Sequence, residues 1–213
     1  MGLTGKNNEE KAWNFLKGKI KNDFGVSGLM GELFAESGLN PQNLQNSYEK
    51  KLGFTDATYT AAVDSGSYAN FVHDSAGYGV AQWTFWSRKE ALLNYVRALG
   101  ASIGDLEAQL GFLYKELSES YPSVLAALKT ATSVRAASDK VLTDFERPAD
   151  QSEAVKIKRA SYGQTYYDKY AKAAASTPSE GGNNMSNSPL VNCTVKSPVS
   201  YTHLRAHETS LHL

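Results

Sequence analysis

Apolar residues recur at helical spacing through most of residues 8–171, and this periodicity constrains the fold more than any other feature of the chain. The most apolar stretch runs over about 26–36 and ends at Ser37-Gly38, a helix stop signal. Further helices are expected over about 12–20, 55–63, 87–100, 105–117, 124–129, 134–145 and 152–170. The sequence therefore predicts a mainly α, α-rich domain.

The segment 77–84, with the sequence Gly-Tyr-Gly-Val-Ala-Gln-Trp-Thr, interrupts the helical pattern. Its two glycines and several β-forming residues argue against a helix, so we expect a loop that leads into a short extended or β segment. Directly after it, Ser87 and Glu90 have the spacing of a capping box. This spacing predicts that the next helix begins at Ser87.

Composition excludes several classes of function. The chain has 22 basic and 22 acidic residues, so it lacks the positive surplus of a nucleic-acid-binding domain, and we expect no nucleic-acid partner. Cys193 is the only cysteine, which leaves no disulfide framework, and we expect no cofactor and no metal site. The N-terminal residues lack the apolar region of a signal peptide, and no apolar run is long enough for membrane insertion. We expect a monomer.

Glu36 is the first candidate for chemistry. Its carboxyl group comes in the last turn of the apolar helix, between Leu33, Phe34 and Leu39. Burial against such side chains and the negative end of the helix dipole both raise the pKa of a carboxyl group. A carboxyl that keeps its proton near neutral pH is suited to protonate a glycosidic oxygen. The alternative is a solvated residue at a helix end.

The segment 77–84 is the second candidate. Its glycines let a backbone approach a sugar closely, and the amide of Gln82 suits hydroxyl or N-acetyl groups. Tyr78 and Trp83 offer flat aromatic faces. For Trp83 and Trp86, the alternative is packing in the core.

Together, these motifs resemble the phage tail-tip lysozyme family, which is related to goose-type lysozymes and lytic transglycosylases. The resemblance covers about residues 8–171 in order. It rests on Ala35-Glu36-Ser37-Gly38-Leu39-Asn40-Pro41, Gly77-Tyr78-Gly79-Val80-Ala81-Gln82-Trp83-Thr84, Phe145-Glu146-Arg147-Pro148 and Tyr166-Tyr167. The resemblance implies a lysozyme-like fold whose short extended or β segment lies beside a cleft, with Glu36 as the catalytic acid and Gln82 and Tyr78 near the substrate.

The activity that the resemblance implies is cleavage of the β-1,4 bond between N-acetylmuramic acid and N-acetylglucosamine in bacterial cell-wall peptidoglycan, as in a phage endolysin. Two alternatives stay open at this point. One is a lytic transglycosylase, in which the sugar's own 6-hydroxyl group replaces water, and the other is a wall-binding module without catalysis. Without a signal peptide, the chain is expected to be made in the bacterial cytoplasm. It would reach the wall through a lysis pore or as a phage tail component.

Glycoside hydrolysis often needs a second carboxylate. Asp56, Asp64 and Asp74 lie between the two motifs, and we prefer Asp74 because it lies beside the glycine-rich segment. The relationship to goose-type enzymes also allows that no second carboxylate is essential. Glu32 is expected to point to solvent, and Glu146 is interpreted as a structural residue that pairs or caps.

The domain organisation follows from a change in composition near the C-terminus. Residues 1–175 are expected to form the catalytic domain, and the polar segment 176–189 a flexible linker. Residues 190–197 resemble the first strand of the zinc amidase domains that accompany this lysozyme type. Residues 198–213 resemble one reading frame of a transposase sequencing-library adapter and are expected to be a non-native tail, so their histidines are not interpreted as a zinc site.

Overall fold

The structure is a computed structural model that describes residues 2–173. The predicted linker (176–189), amidase-like fragment (190–197) and tail (198–213) lie outside the described residues. The nine α-helices in residues 2–173 are α1 (Asn8–Ile20), α2 (Asp23–Ser37), α3 (Asn46–Leu52), α4 (Asp56–Asp64), α5 (Trp86–Ala98), α6 (Leu106–Glu119), α7 (Pro122–Lys129), α8 (Val134–Val141) and α9 (Glu153–Tyr166). The predicted α-rich, lysozyme-like fold class is confirmed.

Helix α2 is the centre of this domain. It packs against α1, α7, α8 and α9, and its residues are buried continuously from Gly25 to Leu33. Over these residues the helix has no solvated face, which explains why its sequence is apolar without an amphipathic period. The same helix ends at Ser37, where Gly38 adopts the left-handed conformation (φ 61°) and stops it.

Two glycines set the distance between α2 and α9. A Cβ atom on Gly31 would lie 2.5 Å from the backbone nitrogen of Gly163, and one on Gly163 would lie 2.7 Å from the carbonyl oxygen of Ser27. The two backbones are therefore in direct contact, which a larger residue at either position would prevent. Arg159 lies one helical turn before Gly163, so this crossing carries its side chain to the surface of α2.

The termini of the helices follow local capping chemistry, with one prediction corrected. Thr55 and Thr58 form a capping box at the start of α4, and the side chain of Asp105 caps α6. The predicted box at Ser87 is wrong, because α5 begins at Trp86 and no side chain caps it. Helix α3 was not predicted, since it buries no residue and so has no apolar period to reveal it.

The segment 77–84 is a loop, as the sequence predicts. Tyr78 forms isolated β-bridges with Leu44 and with Trp83, which give the loop its short extended character. Gly79 has a φ of 77°, and a Cβ atom there would lie 2.6 Å from the side-chain oxygen of Gln109. A side chain at position 79 would therefore strain the backbone and collide with Gln109, and the approach of this glycine to a sugar stays a prediction.

Among residues 2–173, no helix is both long enough and apolar enough to cross a membrane.

We expect Gly31→Ala to lower the free energy of unfolding by about 1–3 kcal/mol, the usual cost of overpacking a closed contact. The backbone of α9 stands where the new methyl group would go, so α2 and α9 would have to separate. Chemical denaturation measures the change. Gly18→Ala is the matched control, because Gly18 is also helical but has nothing within 4 Å of the added Cβ. It should stabilise the domain slightly through helix propensity. Equal stability of the two variants would contradict the close crossing.

Candidate active site

A cleft of about 450 Å³ lies where the end of α2, the loop 77–84 and the start of α5 meet the turn that follows α8. Its lining is mostly polar and comes from parts of the chain that are distant in sequence: Glu36, Gln45, Gln82, Thr84, Phe85, Arg88, Glu146 and Pro148. The hydroxyl of Ser37 joins the two sequence motifs, since it donates a hydrogen bond of 3.0 Å to the carbonyl oxygen of Val80. The fold therefore brings Glu36 and the loop 77–84 to one surface.

Glu36 lines the cleft with 19 % of its side chain exposed. Arg159 Nη1 donates to Glu36 Oε1 at 2.5 Å and also to Glu32 Oε2 at 2.9 Å. The expected surroundings of Glu36 are corrected in one respect. Leu33 is buried in the core, but Phe34 is half exposed and packs edge-on against a tyrosine of α9. A guanidinium group, and not an apolar wall alone, therefore faces the carboxylate.

Glu32 is fully buried, so the expectation that it points to solvent is wrong. It lies on the face of α2 that packs against α8 and α9, where the hydroxyl of Ser138 donates to its Oε1 at 2.6 Å. Burial raises the pKa of the Glu32 carboxyl, and its hydrogen bonds with Ser138 and Arg159 oppose that rise. Glu32 thus anchors Arg159 from inside the protein while Glu36 meets it from the cleft.

Glu146 is the second carboxyl group that lines the cleft. It ends a π-helical turn, Leu142–Glu146, in which the N–H of Arg147 donates to the carbonyl oxygen of Leu142 at 2.9 Å. Arg147 then adopts a left-handed backbone with φ 50°. Within residues 2–173, Oε1 of Glu146 is buried without a hydrogen-bond partner. The interpretation of Glu146 as a residue that pairs or caps is therefore corrected.

The pKa of Glu146 is raised well above its ordinary value, first by burial and then by the negative charge of Glu36. Arg88 lies near Glu146 but is paired with Glu116, because it donates to both carboxylate oxygens of Glu116, at 2.6 and 2.9 Å. A carboxyl group without a paired cation in a partly buried site holds its proton more tightly.

Trp83 does not reach the cleft. Its side chain is fully buried, and Nε1 donates to Glu116 at 3.0 Å, on the carboxylate that also holds Arg88. The predicted substrate contact is therefore corrected to a supporting role, because the indole fixes Glu116 and Glu116 in turn fixes the cleft-lining Arg88.

Tyr78 and Asp74 are also placed in the interior, which corrects their predicted contact with substrate. Tyr78 is fully buried, with its hydroxyl 2.6 Å from that of Thr60. The carboxylate of Asp74 is fully buried against Lys89, at 2.5 Å, and accepts a hydrogen bond from the hydroxyl of Tyr59. Burial lowers the pKa of Lys89, while Asp74 opposes that effect. The rings of Tyr59 and Tyr78 and the Asp74–Lys89 ion pair are therefore part of the buried interior.

The other two aspartates between the motifs hold loops together. Asp56 accepts a hydrogen bond from the N–H of Leu44 at 2.8 Å, and Asp64 accepts one from the N–H of Ile103 at 2.9 Å. None of Asp56, Asp64 and Asp74 is among the residues that line the cleft. The carboxyl group that shares the cleft with Glu36 is that of Glu146.

Gln82 lines the cleft, as predicted, and its side chain is held in a fixed position. Its Nε2 donates to the carbonyl oxygens of Asn43 and Gly79, at 3.0 and 3.1 Å, and to Oδ1 of Asn43 at 2.9 Å. Among residues 2–173, nothing donates a hydrogen bond to its Oε1. The arrangement leaves one acceptor available to a ligand, and the role of Gln82 in substrate binding stays a prediction.

Comparison with known families agrees with this arrangement. The family described as phage tail lysozyme matches residues 7–170. The chain belongs to the phage tail lysozyme family. No match was found among curated proteins or among solved structures. Membership in the phage tail lysozyme family makes the chain a peptidoglycan-lytic enzyme of bacteriophage type, and the resemblance stated from the sequence is confirmed.

Phe85 lines the cleft and was not predicted, and the alternative of core packing for Trp86 is wrong. Phe85 lines the cleft and is 62 % exposed, and Trp86 beside it is 49 % exposed. Their ring centres are 6.0 Å apart, and Trp86 also lies 6.2 Å from the ring of His73. The sequence shows three aromatics within four residues, but only the structure separates buried Trp83 from this exposed pair.

We expect Asp74→Asn to lower the free energy of unfolding by about 3–5 kcal/mol, because it leaves the buried Lys89 without its counter-charge. Chemical denaturation measures this loss. Wall cleavage, assayed at a temperature where the variant is still folded, should persist, since Asp74 does not line the cleft.

Glu90→Gln is the control for this experiment, because it removes one negative charge from the exposed position next to Lys89. It should change stability by no more than about 0.5 kcal/mol. A stable Asp74→Asn variant without activity would return Asp74 to the list of functional carboxylates.

Proposed function

We propose that this chain cleaves the β-1,4 bond between N-acetylmuramic acid and N-acetylglucosamine by hydrolysis, with Glu36 as the general acid. The observation that carries the proposal is the position of Glu36 at the end of a buried helix, on the wall of a polar cleft, across from the loop 77–84. Membership in the phage tail lysozyme family supports the choice of substrate.

In this mechanism the protonated Glu36 gives its proton to the glycosidic oxygen while the bond from that oxygen to the anomeric carbon breaks. The bonding electrons stay with the departing oxygen, and Glu36 becomes a carboxylate. Arg159, at 2.5 Å, is suited to hold the carboxyl group in one orientation and to stabilise its ionised form after the transfer. Water then adds to the anomeric carbon and releases one proton, which restores the acid form of Glu36 for the next turnover.

Binding of the saccharide is assigned to the polar and aromatic rim of the cleft. Gln82 offers Oε1 to a hydroxyl or an N-acetyl N–H group, and its position is fixed by Asn43. Phe85 and Trp86 offer exposed faces on which the apolar side of a pyranose ring can pack. We further propose that the protein acts as a monomer and reaches the wall through a lysis pore or as a tail component.

We expect Glu36→Gln to reduce the rate of wall cleavage by at least about 10²-fold, the lower range of what general acid catalysis contributes. Glutamine keeps the size of the side chain but has no proton to donate. Dye release from purified cell walls measures the rate. Glu119→Gln is the matched control, because Glu119 also lies at the end of a helix but is exposed and outside the cleft. A Glu36→Gln variant that cleaves walls at the wild-type rate would exclude Glu36 as the acid.

Mass spectrometry of the released fragments tests the reaction type in the same assay. Reducing ends on N-acetylmuramic acid are expected from a hydrolase. Anhydro ends would instead identify the alternative, a lytic transglycosylase, which uses the same acid. A chain that binds walls and releases neither product would be a binding module.

We expect Phe85→Ala to raise the KM for soluble wall fragments by about 2- to 12-fold, which corresponds to an aromatic contact of about 0.5–1.5 kcal/mol. The melting temperature should hardly change, because the ring is largely exposed. Leu99→Ala is the control, since Leu99 is an exposed apolar residue of similar size outside this cleft. An equal KM for the two variants would remove Phe85 from the binding surface.

A further inference from the structure

Two side chains in residues 2–173, Ser27 and Glu146, bury a polar atom without a hydrogen-bond partner, and Glu146 is the one that lines the cleft. One of its oxygens is buried without a hydrogen-bond partner within residues 2–173, although the side chain lines the cleft together with Glu36. Leaving a buried polar atom unpaired costs about 1–3 kcal/mol. Such a cost in a cleft calls for an explanation in terms of function.

The backbone that carries Glu146 is also irregular. A π-helical turn ends at this residue, and Arg147 follows in the left-handed conformation with φ 50° before Pro148. Single π turns occur frequently at functional sites, and left-handed conformations of non-glycine residues cost free energy. Glu146 therefore lies at the end of an irregular turn and on the wall of the cleft.

Charged groups from three helices act on the Glu146 carboxyl. Glu32 and Glu36 come from α2, Arg88 from α5 and Arg159 from α9. Arg88 is held by Glu116 through two hydrogen bonds, and Arg159 is shared between Glu32 and Glu36. Glu146 therefore faces two carboxylates and two arginines that are already paired, which favours its neutral form.

We propose that Glu146 is the proton store of the cleft: it keeps one proton on the Glu36–Glu146 pair through neutral pH, and this is the proton that Glu36 donates to the substrate. The proposal rests on the proposed function of Glu36 as the acid. Two interacting carboxyl groups titrate as a pair, so the singly protonated pair persists over a range of pH. Within that range, the fraction of pairs with the proton on Glu36 stays constant.

Each proton that moves during one turnover has a source and a destination. The proton leaves the Glu146 carboxyl and is taken up by the Glu36 carboxylate, with exchange through the solvent of the cleft. Glu36 then passes it to the glycosidic oxygen, and the attacking water returns one proton to the pair when it adds to the anomeric carbon. Glu146 acts through Glu36 and makes no bond to the sugar, so it is a positioning residue for the proton.

The test is the pH profile of wall cleavage by the full chain with Glu146→Gln. At acidic pH, protons are supplied directly by the solvent, and the variant should work within about threefold of wild type. Toward neutral pH, its activity should fall earlier, with the alkaline limb moved down by at least about one unit and a loss of about tenfold at a given pH on that limb. Glu146→Asp keeps a carboxyl group and should restore part of the shift.

Any other pH profile of the Glu146→Gln variant overturns the proposal. An unchanged profile would show that the pair does not share a proton. A uniform loss at every pH, without a shift of the limb, would show a purely structural role. Complete loss at every pH would show that Glu146 itself touches the substrate as the acid. Failure of the proposed function is recognised separately, because Glu36→Gln would then stay active whatever Glu146→Gln does.

A second measurement uses the wild-type chain and does not depend on whether a variant folds. The side-chain carboxyl carbon of Glu146, followed by NMR, should still report the protonated form above the ordinary titration range of a glutamate. It should ionise together with the alkaline limb of activity. A Glu146 carboxyl that ionises within the ordinary range of a glutamate overturns the proposal.

Discussion

The backbone contact between α2 and α9 is the constraint on which the site depends. Gly31 and Gly163 let the two helices touch, and this close crossing places Arg159 against the last two turns of α2. One guanidinium group then meets Glu32 on its buried side and Glu36 on its cleft side. A wider crossing would draw Arg159 away and leave Glu32 buried without a counter-charge, a costly state in a protein interior. Packing and electrostatics therefore depend on the same two residues.

The cleft has fewer available cations than carboxyl groups. Arg159 serves two carboxylates, and Arg88 is fixed by Glu116, which is itself fixed by Trp83. Glu146 is left over, and burial together with the charge of Glu36 raises its pKa. Its proton is bound more tightly in the folded than in the unfolded chain. This contribution to stability is therefore fully present below the unfolded pKa and is lost as the pH rises through the folded value.

Most of the helices could be predicted from the sequence, but the buried contacts of the residues around the cleft could not. Helical periodicity located the long helices, and the residue pattern at the end of α2 identified Glu36, because both signals are local. Tyr78 is buried against Thr60 of α4, and Asp74 is buried against Lys89 of α5. The sequence does not show that either helix lies beside these loop residues. The role of Glu146 was hidden for the same reason, since a carboxyl beside Arg147 looks paired until the structure shows otherwise.

A saccharide in this cleft would make the coupling between the two carboxyl groups stronger. Sugar rings displace water, and charges interact more strongly when the water between them is removed. Ionising Glu146 would then cost more than in the free enzyme, so Glu146 would hold its proton more tightly with substrate bound. Glu36 differs from Glu146 because the guanidinium of Arg159 contacts its carboxylate. Glu36 is paired with Arg159, whereas Glu146 has no paired cation within residues 2–173. This difference suits Glu146 to keep a proton in the cleft and Glu36 to give it to the substrate.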